Sequence, residues 1–550
     1  MIHQLAKGCV ILKNPIIPSG KNEQAVLDSA MQDLKSKDFK GKSPPECYGM
    51  LCDSIHEAFF LANSLRDSRD RYKIPSKPPN PCVAEMIRLC EPLKNISYSE
   101  TREEAHTILS LYMDSGTLEG IYTGNERILI QRVREYVPYA TKKDVSEIIE
   151  TLADTCDTVT LCNKKHLIPL NNGLFDYDRK QLLPFSPNFV FVAKSRTNFN
   201  PKATSPLITE PDGSHWEVLK WLLDLFDGDN ERFNLCLQCL CAGLRPRQRW
   251  NLALFLYSSG GASGKGCLMS LFRALCGDES IAEIPLAKMD ERFGLEPLLD
   301  KSVSVILGDE NEVGGFIEKD GKFKSLVTGD GIAIERKFKG NTSYQPHLFI
   351  VESFNEIPRF RDRSPALERR IILLDFPHAF HAEGNEKPYI KNDYLQRKNV
   401  REFLLKYLLV DLPNFDKISI PESCQFMLAK FKVKNNFVAE FAKEIMPQIQ
   451  SDIMPVRTGI YELYKAFRKM YNPSGKDESY TSFLDSFLRV LDDFFPGDWT
   501  FHHGPYPRGN RYITMESVFA EFEVAQPQFG ASLRDCIVRS TSTPTIIFHG

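Results

Sequence analysis

The chain has 550 residues, with 69 Lys and Arg against 72 Asp and Glu, a formal net charge of −3, and 42% hydrophobic and 26% charged residues. This is the composition of an ordinary globular chain with room for roughly three to four domains, and without a basic excess any nucleic-acid contact must be local. No apolar run approaches the ~20 residues of a membrane span, and Met1 to Pro15 lacks the apolar stretch and cleavage site of a signal peptide, so the expected location is the cytoplasm, with no membrane partner.

Residues 1–95 are mixed and weakly patterned, and Pro75 to Pro81 reads as a linker. Ser54-Ile55-His56 has no preceding Asp-x-Asp, so a primase site is not expected within the chain. Residues 96–211 read as helical, then β-rich from Thr158 to Lys194, closing at Pro201 to Pro211. A helix from His215 to Phe226 opens the next segment, 212–395. Cys236, Cys239 and Cys241 fall in an apolar stretch without a second Cys/His pair nearby, which reads as a buried helix rather than a zinc site. The remaining cysteines are scattered, as expected of free thiols in a reducing compartment.

Leu252 to Tyr257 reads as a strand covered on both faces. It runs into Gly260-Gly261-Ala262-Ser263-Gly264-Lys265-Gly266-Cys267, followed by an apolar helix to Leu275. Glycines let successive N–H groups ring a phosphate, and Lys265 adds a positive charge beside it. Ser259 stands where the usual motif begins with Gly, and Gly266 where it carries a magnesium-binding hydroxyl.

A second apolar strand, Ser302 to Leu307, ends in Asp309 and Glu310, where one carboxylate can hold magnesium and the other orient a water. A third, His347 to Phe354, delivers Asn355, either a turn former or a hydrogen-bonding partner for the γ-phosphate. Arg369 and Arg370 then precede a further strand, Ile371 to Phe376, and arginine is the side chain that stabilises transition-state charge from a neighbouring subunit. Basic clusters lie at Arg245 to Arg249, at Arg336-Lys337-Phe338-Lys339, and at Arg508 and Arg511. Strand alternation would put Lys337 and Lys339 on one face, with Phe338 able to stack on a base.

Beyond residue 395, Lys398 to Leu409 and Val433 to Ile445 read as amphipathic helices. Arg457 to Tyr471 and Tyr480 to Phe494 read as two more, followed by a β-type stretch from Trp499 to Thr514 with Gly504 and Gly509. Residues 520–550 carry no clear pattern.

Taken in order, Gly264-Lys265, Asp309-Glu310, Gly329-Asp330 with the basic cluster 336–339, Asn355-Glu356-Ile357-Pro358 and Arg369-Arg370 resemble the superfamily 3 helicase module. More narrowly, they resemble the phage and plasmid primase–helicase family of satellite phages, mobile islands and large DNA viruses. Leu167 to Asp178 resembles the domain that precedes the motor in that family. The resemblance implies an α/β fold: a P-loop AAA+ motor at 212–395, a family-typical pre-motor domain at 96–211 behind an accessory region at 1–95, a helical connector at 396–455, and a winged helix with tail at 456–550. It implies an ATP- and Mg²⁺-dependent replicative DNA helicase and replication initiator, working as a homo-oligomeric ring, by resemblance a hexamer. Lys265 would hold phosphates, Asp309 the metal, Glu310 the water and Asn355 the γ-phosphate, while Arg369 or Arg370 would reach the neighbouring site. Lys337, Phe338 and Lys339 would hold single-stranded DNA, and Arg508 and Arg511 duplex DNA at an origin. A separate primase or host replication proteins would be its partners. The competing reading is a non-translocating, ATP-switched origin-binding or assembly protein.

Overall fold

The computed structural model describes residues 22–64, 66–98, 107–260, 262–300, 303–309, 311, 316–317, 319–337, 339–356, 358–360, 365–380, 384, 386–450, 453–471, 478–503, 517–524 and 545–549. Its central feature is a five-stranded sheet. The strands are β1 (Ala253–Tyr257), β2 (Ile281–Glu283), β3 (Val305–Gly308), β4 (Phe349–Phe354) and β5 (Ile371–Asp375), and the helix α1 (Lys265–Cys276) follows β1. The spatial order is β2-β3-β4-β1-β5, with every pairing parallel.

Strand alternation decides which residues enter which core. Leu254, Leu256, Ile372 and Leu374 join one apolar cluster, with α1 and the helix Asn230–Leu244. Ala253, Phe255, Ile371 and Leu373 join the other, under the helix Gly321–Thr328 and Leu286 to Leu299. A parallel sheet covered on both faces therefore needs largely apolar strands, which these are. Full burial of each large apolar side chain stabilises by about 1.5–3 kcal/mol.

The helix Asn230–Leu244 buries Cys236, Cys239 and Cys241 completely. Burial pushes the Cys236 thiol up to about 12 and the Cys241 thiol up to about 11, so both behave as apolar packing groups.

Several elements differ from the sequence expectations. His215 to Phe226 is not one helix: Ile208–Thr209 and His215–Trp216 pair as a hairpin, and the helix Val218–Asp224 begins after it. The cause is local. Asp212 and Glu210 hold Ser214, and Gly213 turns the chain at φ 84°. Val433 to Ile445 is broken at Asn436, whose side chain caps Phe437–Ile445 by accepting from Val438 and Ala439 N–H. The weakly patterned N-terminal stretch forms the helices Glu23–Lys35, Pro44–Ser64 and Asn80–Cys90. Their apolar faces share one core with Leu109, Leu111, Val133, Ile148 and Leu152, so packing continues across residue 95. From Thr158 to Lys194 the chain is β-rich, with strands Thr158–Thr160, Leu167–Leu170, Gly173–Asp176 and Gln181–Leu183.

The last core gathers the helices Phe437–Ile445, Tyr461–Tyr471 and Tyr480–Phe494. Beside them lies a three-stranded antiparallel sheet in which Thr545–His549 sits between Ile453–Pro455 and Trp499–His503. A strand thus occurs where the sequence carried no clear pattern. Arg508 and Arg511 lie outside the described residues. No described helix is long and apolar enough to cross a membrane.

Candidate nucleotide-binding site

β1 ends at Tyr257, and the chain then turns sharply into α1. Ser258 is buried, and its hydroxyl donates to Gly260 O at 2.9 Å and accepts from Gly260 N–H at 3.3 Å. Ala262 has φ 52° and Gly264 φ 95°, so the loop twice enters the left-handed region. Gly264 is required on two counts, because a β-carbon there would also stand 2.7 Å from Leu225 Cδ2. Ser263 and Lys265 are buried, and Gly266 and Cys267 continue into the first turn of α1. Gly261 lies outside the described residues.

Because the strands run parallel, the ends of β1, β3 and β4 reach the same edge of the sheet, where open α/β sheets hold ligands. Lys265 Nζ donates to Asn355 Oδ1 at 3.0 Å and to Ser263 Oγ at 3.3 Å. Burial holds the Lys265 ammonium below its ordinary pKa, and the charge of Asp309 opposes that shift. Asp309 follows β3 and is exposed. The turn, Lys265, Asp309 and Asn355 are thus gathered at one edge. Glu310 lies outside the described residues.

Two residues that sequence reasoning passed over support this edge. Glu352, in mid-β4, is fully buried beside Gly308 of β3. Asn311 Nδ2 donates to Glu352 Oε2 at 2.8 Å and to Ser353 O at 3.1 Å, while its Oδ1 accepts from Leu286 N–H at 3.0 Å. Asn311 therefore fixes the chain just after Asp309 onto β4. Burial pushes the Glu352 carboxyl up to about 8. A β-carbon on Gly308 would stand 1.7 Å from Glu352 Oε2, so the pair requires glycine there. The available signal was an acid inside an otherwise apolar strand, Phe349-Ile-Val-Glu-Ser-Phe354.

The paired arginines are not brought to this edge. Ile371 pairs with Ala253 at the start of β1, so Arg369 and Arg370 lie at the opposite end of the sheet. Five residues of strand separate them from the turn, roughly 16 Å at about 3.3 Å per residue. Arg369 is exposed, whereas the Arg370 guanidinium donates to Ala366 O.

The basic cluster after Gly329 forms a hairpin of Ile332–Arg336 and Lys339–Tyr344. Arg336 pairs with Lys339, so Lys337 belongs to the connecting turn rather than to a strand face shared with Lys339. The register that pairs the flanking strands fixes this. Lys337 is exposed, and its N–H donates to Glu296 Oε1 at 3.1 Å. Phe338 lies outside the described residues. The base of the hairpin is braced by the preceding region: Tyr344 stacks on Tyr98 at 6.3 Å, and Gln345 N–H donates to Tyr98 O at 2.8 Å.

Comparison with known proteins adds sequence relationships. A "Family of unknown function (DUF5906)" matches residues 256–370, from the end of β1 to the residue before β5. "D5 N terminal like" matches residues 90–226. A Sputnik virophage protein named "Putative helicase V13" is 23% identical over 269 residues, covering 46% of this chain and 33% of that protein. The matched part thus spans about a third of the virophage protein's length. Apo structures of the NrS-1 C-terminal region align at TM-scores of 0.39 and 0.40 with 13% and 12% identity, covering 80% and 86% of this chain and 94% and 100% of those chains. The D5 N-terminal-like domain and the virophage match support a relationship to the phage and viral primase–helicases.

Proposed function

We propose that this chain is an ATP-dependent DNA helicase of superfamily 3, a replicative motor and initiator of a virus, phage or mobile element. Its core is read as an AAA+ P-loop ATPase, and its C-terminal region as a winged helix. The observation that carries this reading is the convergence of the glycine turn, Lys265, Asp309 and Asn355 on one edge of a parallel sheet ordered β2-β3-β4-β1-β5.

In this reading the turn N–H groups and Lys265 hold the β- and γ-phosphates, and Asn355 contacts the γ-phosphate from the end of β4. Glu310 orients the attacking water. Asp309 offers the hard carboxylate oxygen that Mg²⁺ prefers, and Mg²⁺ is commonly held by one or two carboxylates plus substrate phosphates. Bound there, the ion would neutralise charge on the phosphates. Gly266 contributes no side-chain ligand.

Arg369 and Arg370 lie away from the turn of their own subunit, as a residue acting on a neighbour's site must. This supports a homo-oligomeric ring, by resemblance a hexamer, with the hairpin tip at Lys337 facing single-stranded DNA. A D5 N-terminal-like region before the motor and a virophage relative named as a helicase support the same reading.

The deciding experiment measures ATP turnover with and without single-stranded DNA, and strand separation on a forked substrate, for the parent protein and Glu310→Gln. The parent should be DNA-stimulated and unwind; Glu310→Gln should bind ATP without cleaving it. An ATPase that DNA does not stimulate and that separates no strands would instead be the ATP-switched assembly protein.

A further inference from the structure

Beside the glycine turn lies a cavity of 540 Å³, within the range of about 300–1,000 Å³ typical of small-molecule sites. Ala262, Gly264 and Cys267 line it from the turn, and Trp216, Trp221 and Phe380 supply aromatic surface. Trp216 is nine-tenths buried or more, and its indole N–H has no hydrogen-bond partner among the described residues.

Residues 387–396, which follow β5, form a strap along this cavity. Lys387 Nζ pairs with Glu210 Oε2 at 2.7 Å, and Tyr389 O–H donates to Glu210 Oε1 at 3.1 Å. At the other end, Gln396 Nε2 donates to Ser270 Oγ of α1 at 3.1 Å. Between these anchors stands Lys391. Its ammonium lies 3.6 Å from the point where a β-carbon on Gly266 would stand. The Cys267 thiol registers the same charge: burial raises its pKa, Lys391 opposes the rise, and Glu386, which also lines the cavity, adds to it.

Two lysines, 265 and 391, therefore crowd the first turn of α1. That is the positive end of the helix dipole, where cations are disfavoured and anions are stabilised. An anion placed at this helix end would be attracted by both charges and by the helix dipole. The adjoining aromatic cavity has room for a base and sugar attached to that anion.

We propose that Lys391 is a second phosphate-binding cation, delivered by the strap onto a nucleoside triphosphate whose base and sugar occupy the cavity. This rests on the nucleotide-site reading given above. It makes the segment after β5 part of the binding site, so the strap is anchored more firmly when nucleotide is present.

The test is displacement of a fluorescent ATP analogue by ATP and, separately, by adenosine, for the parent protein, Lys391→Ala, Lys391→Arg and Lys265→Ala, with melting curves confirming folding. Lys391→Ala should weaken ATP by about tenfold or more, the scale of a hydrogen bond to a charged group. Adenosine, which has no phosphate, should compete equally against both, and Lys391→Arg should recover most of the ATP affinity. If Lys265→Ala loses ATP affinity while Lys391→Ala keeps it, the role of Lys391 is refuted and the nucleotide site stands. If neither variant changes ATP affinity, the nucleotide-site reading itself fails, and the inference with it.

Discussion

Lys265 Nζ and Asn355 Oδ1 lie 3.0 Å apart, joining the turn after β1 to the end of β4. The amide keeps a buried ammonium hydrogen-bonded and aimed along the edge where β1, β3 and β4 end, which a flexible lysine would not maintain unaided. Lys265→Ala should remove both ATP affinity and turnover. Asn355→Ala should keep more of the affinity but reduce turnover on the order of 10²-fold, as loss of one preorganised group does. Equilibrium binding alongside steady-state hydrolysis separates the two; unchanged turnover in Asn355→Ala would remove the amide from the mechanism.

The arginines are distinguishable by structure. Arg369 is exposed at the far end of the sheet, while Arg370 is tied to Ala366 O. Arg369→Ala should retain ATP binding and lose ~10³-fold or more in turnover. Mixed with Lys265→Ala it should regain part, since one hybrid interface has both groups intact. Arg370→Ala should lower the melting temperature. No rescue in mixtures shown to co-assemble would argue against an arginine acting between subunits.

At the hairpin tip, Lys337→Ala leaves the nucleotide edge untouched. Basal hydrolysis should persist while single-strand affinity falls, and the slope of log K against log salt should become shallower by about 0.7. An unaltered salt slope would remove Lys337 from the DNA path.

Glu352 makes stability depend on pH. Its folded pKa of about 8 lies above the ordinary 4.5, because burial disfavours the charged form. The folded state therefore holds a proton that the unfolded chain releases. This contribution is fully present below about pH 4.5 and is lost as pH rises towards 8, by up to a few kcal/mol. Glu352→Gln should flatten that dependence, measured as the difference in urea midpoint between pH 5 and pH 8. Parallel curves for parent and variant would place the titration elsewhere.

Four strands of the sheet were legible because they are short apolar runs ending in polar residues, whereas the three-residue edge strand Ile281–Glu283 was not anticipated. Leu252 to Tyr257 and His347 to Phe354 each contain the observed strand. Their order was not, since it depends on crossovers that periodicity does not encode. The arginine pair was visible as residue type, but its distance from the turn follows only from the pairing of Ile371 with Ala253. Asn311 and Lys391 escaped notice for a common reason: each sits in a loop or short helix and lies against a residue remote in sequence. The hairpin was seen as alternating charge, yet the pairing of Arg336 with Lys339 put Lys337 in the turn.

The middle position of Thr545–His549 in the C-terminal sheet carries a consequence for biosynthesis. Ile453–Pro455 and Trp499–His503 do not pair with each other; both pair with this strand, which is made last of the three. Two sheet edges must therefore wait, with unpaired backbone groups, while the helices between them have already left the ribosome. A nascent chain stalled before residue 545 would present those edges to any passing strand. This leaves the C-terminal sheet exposed to aggregation during synthesis.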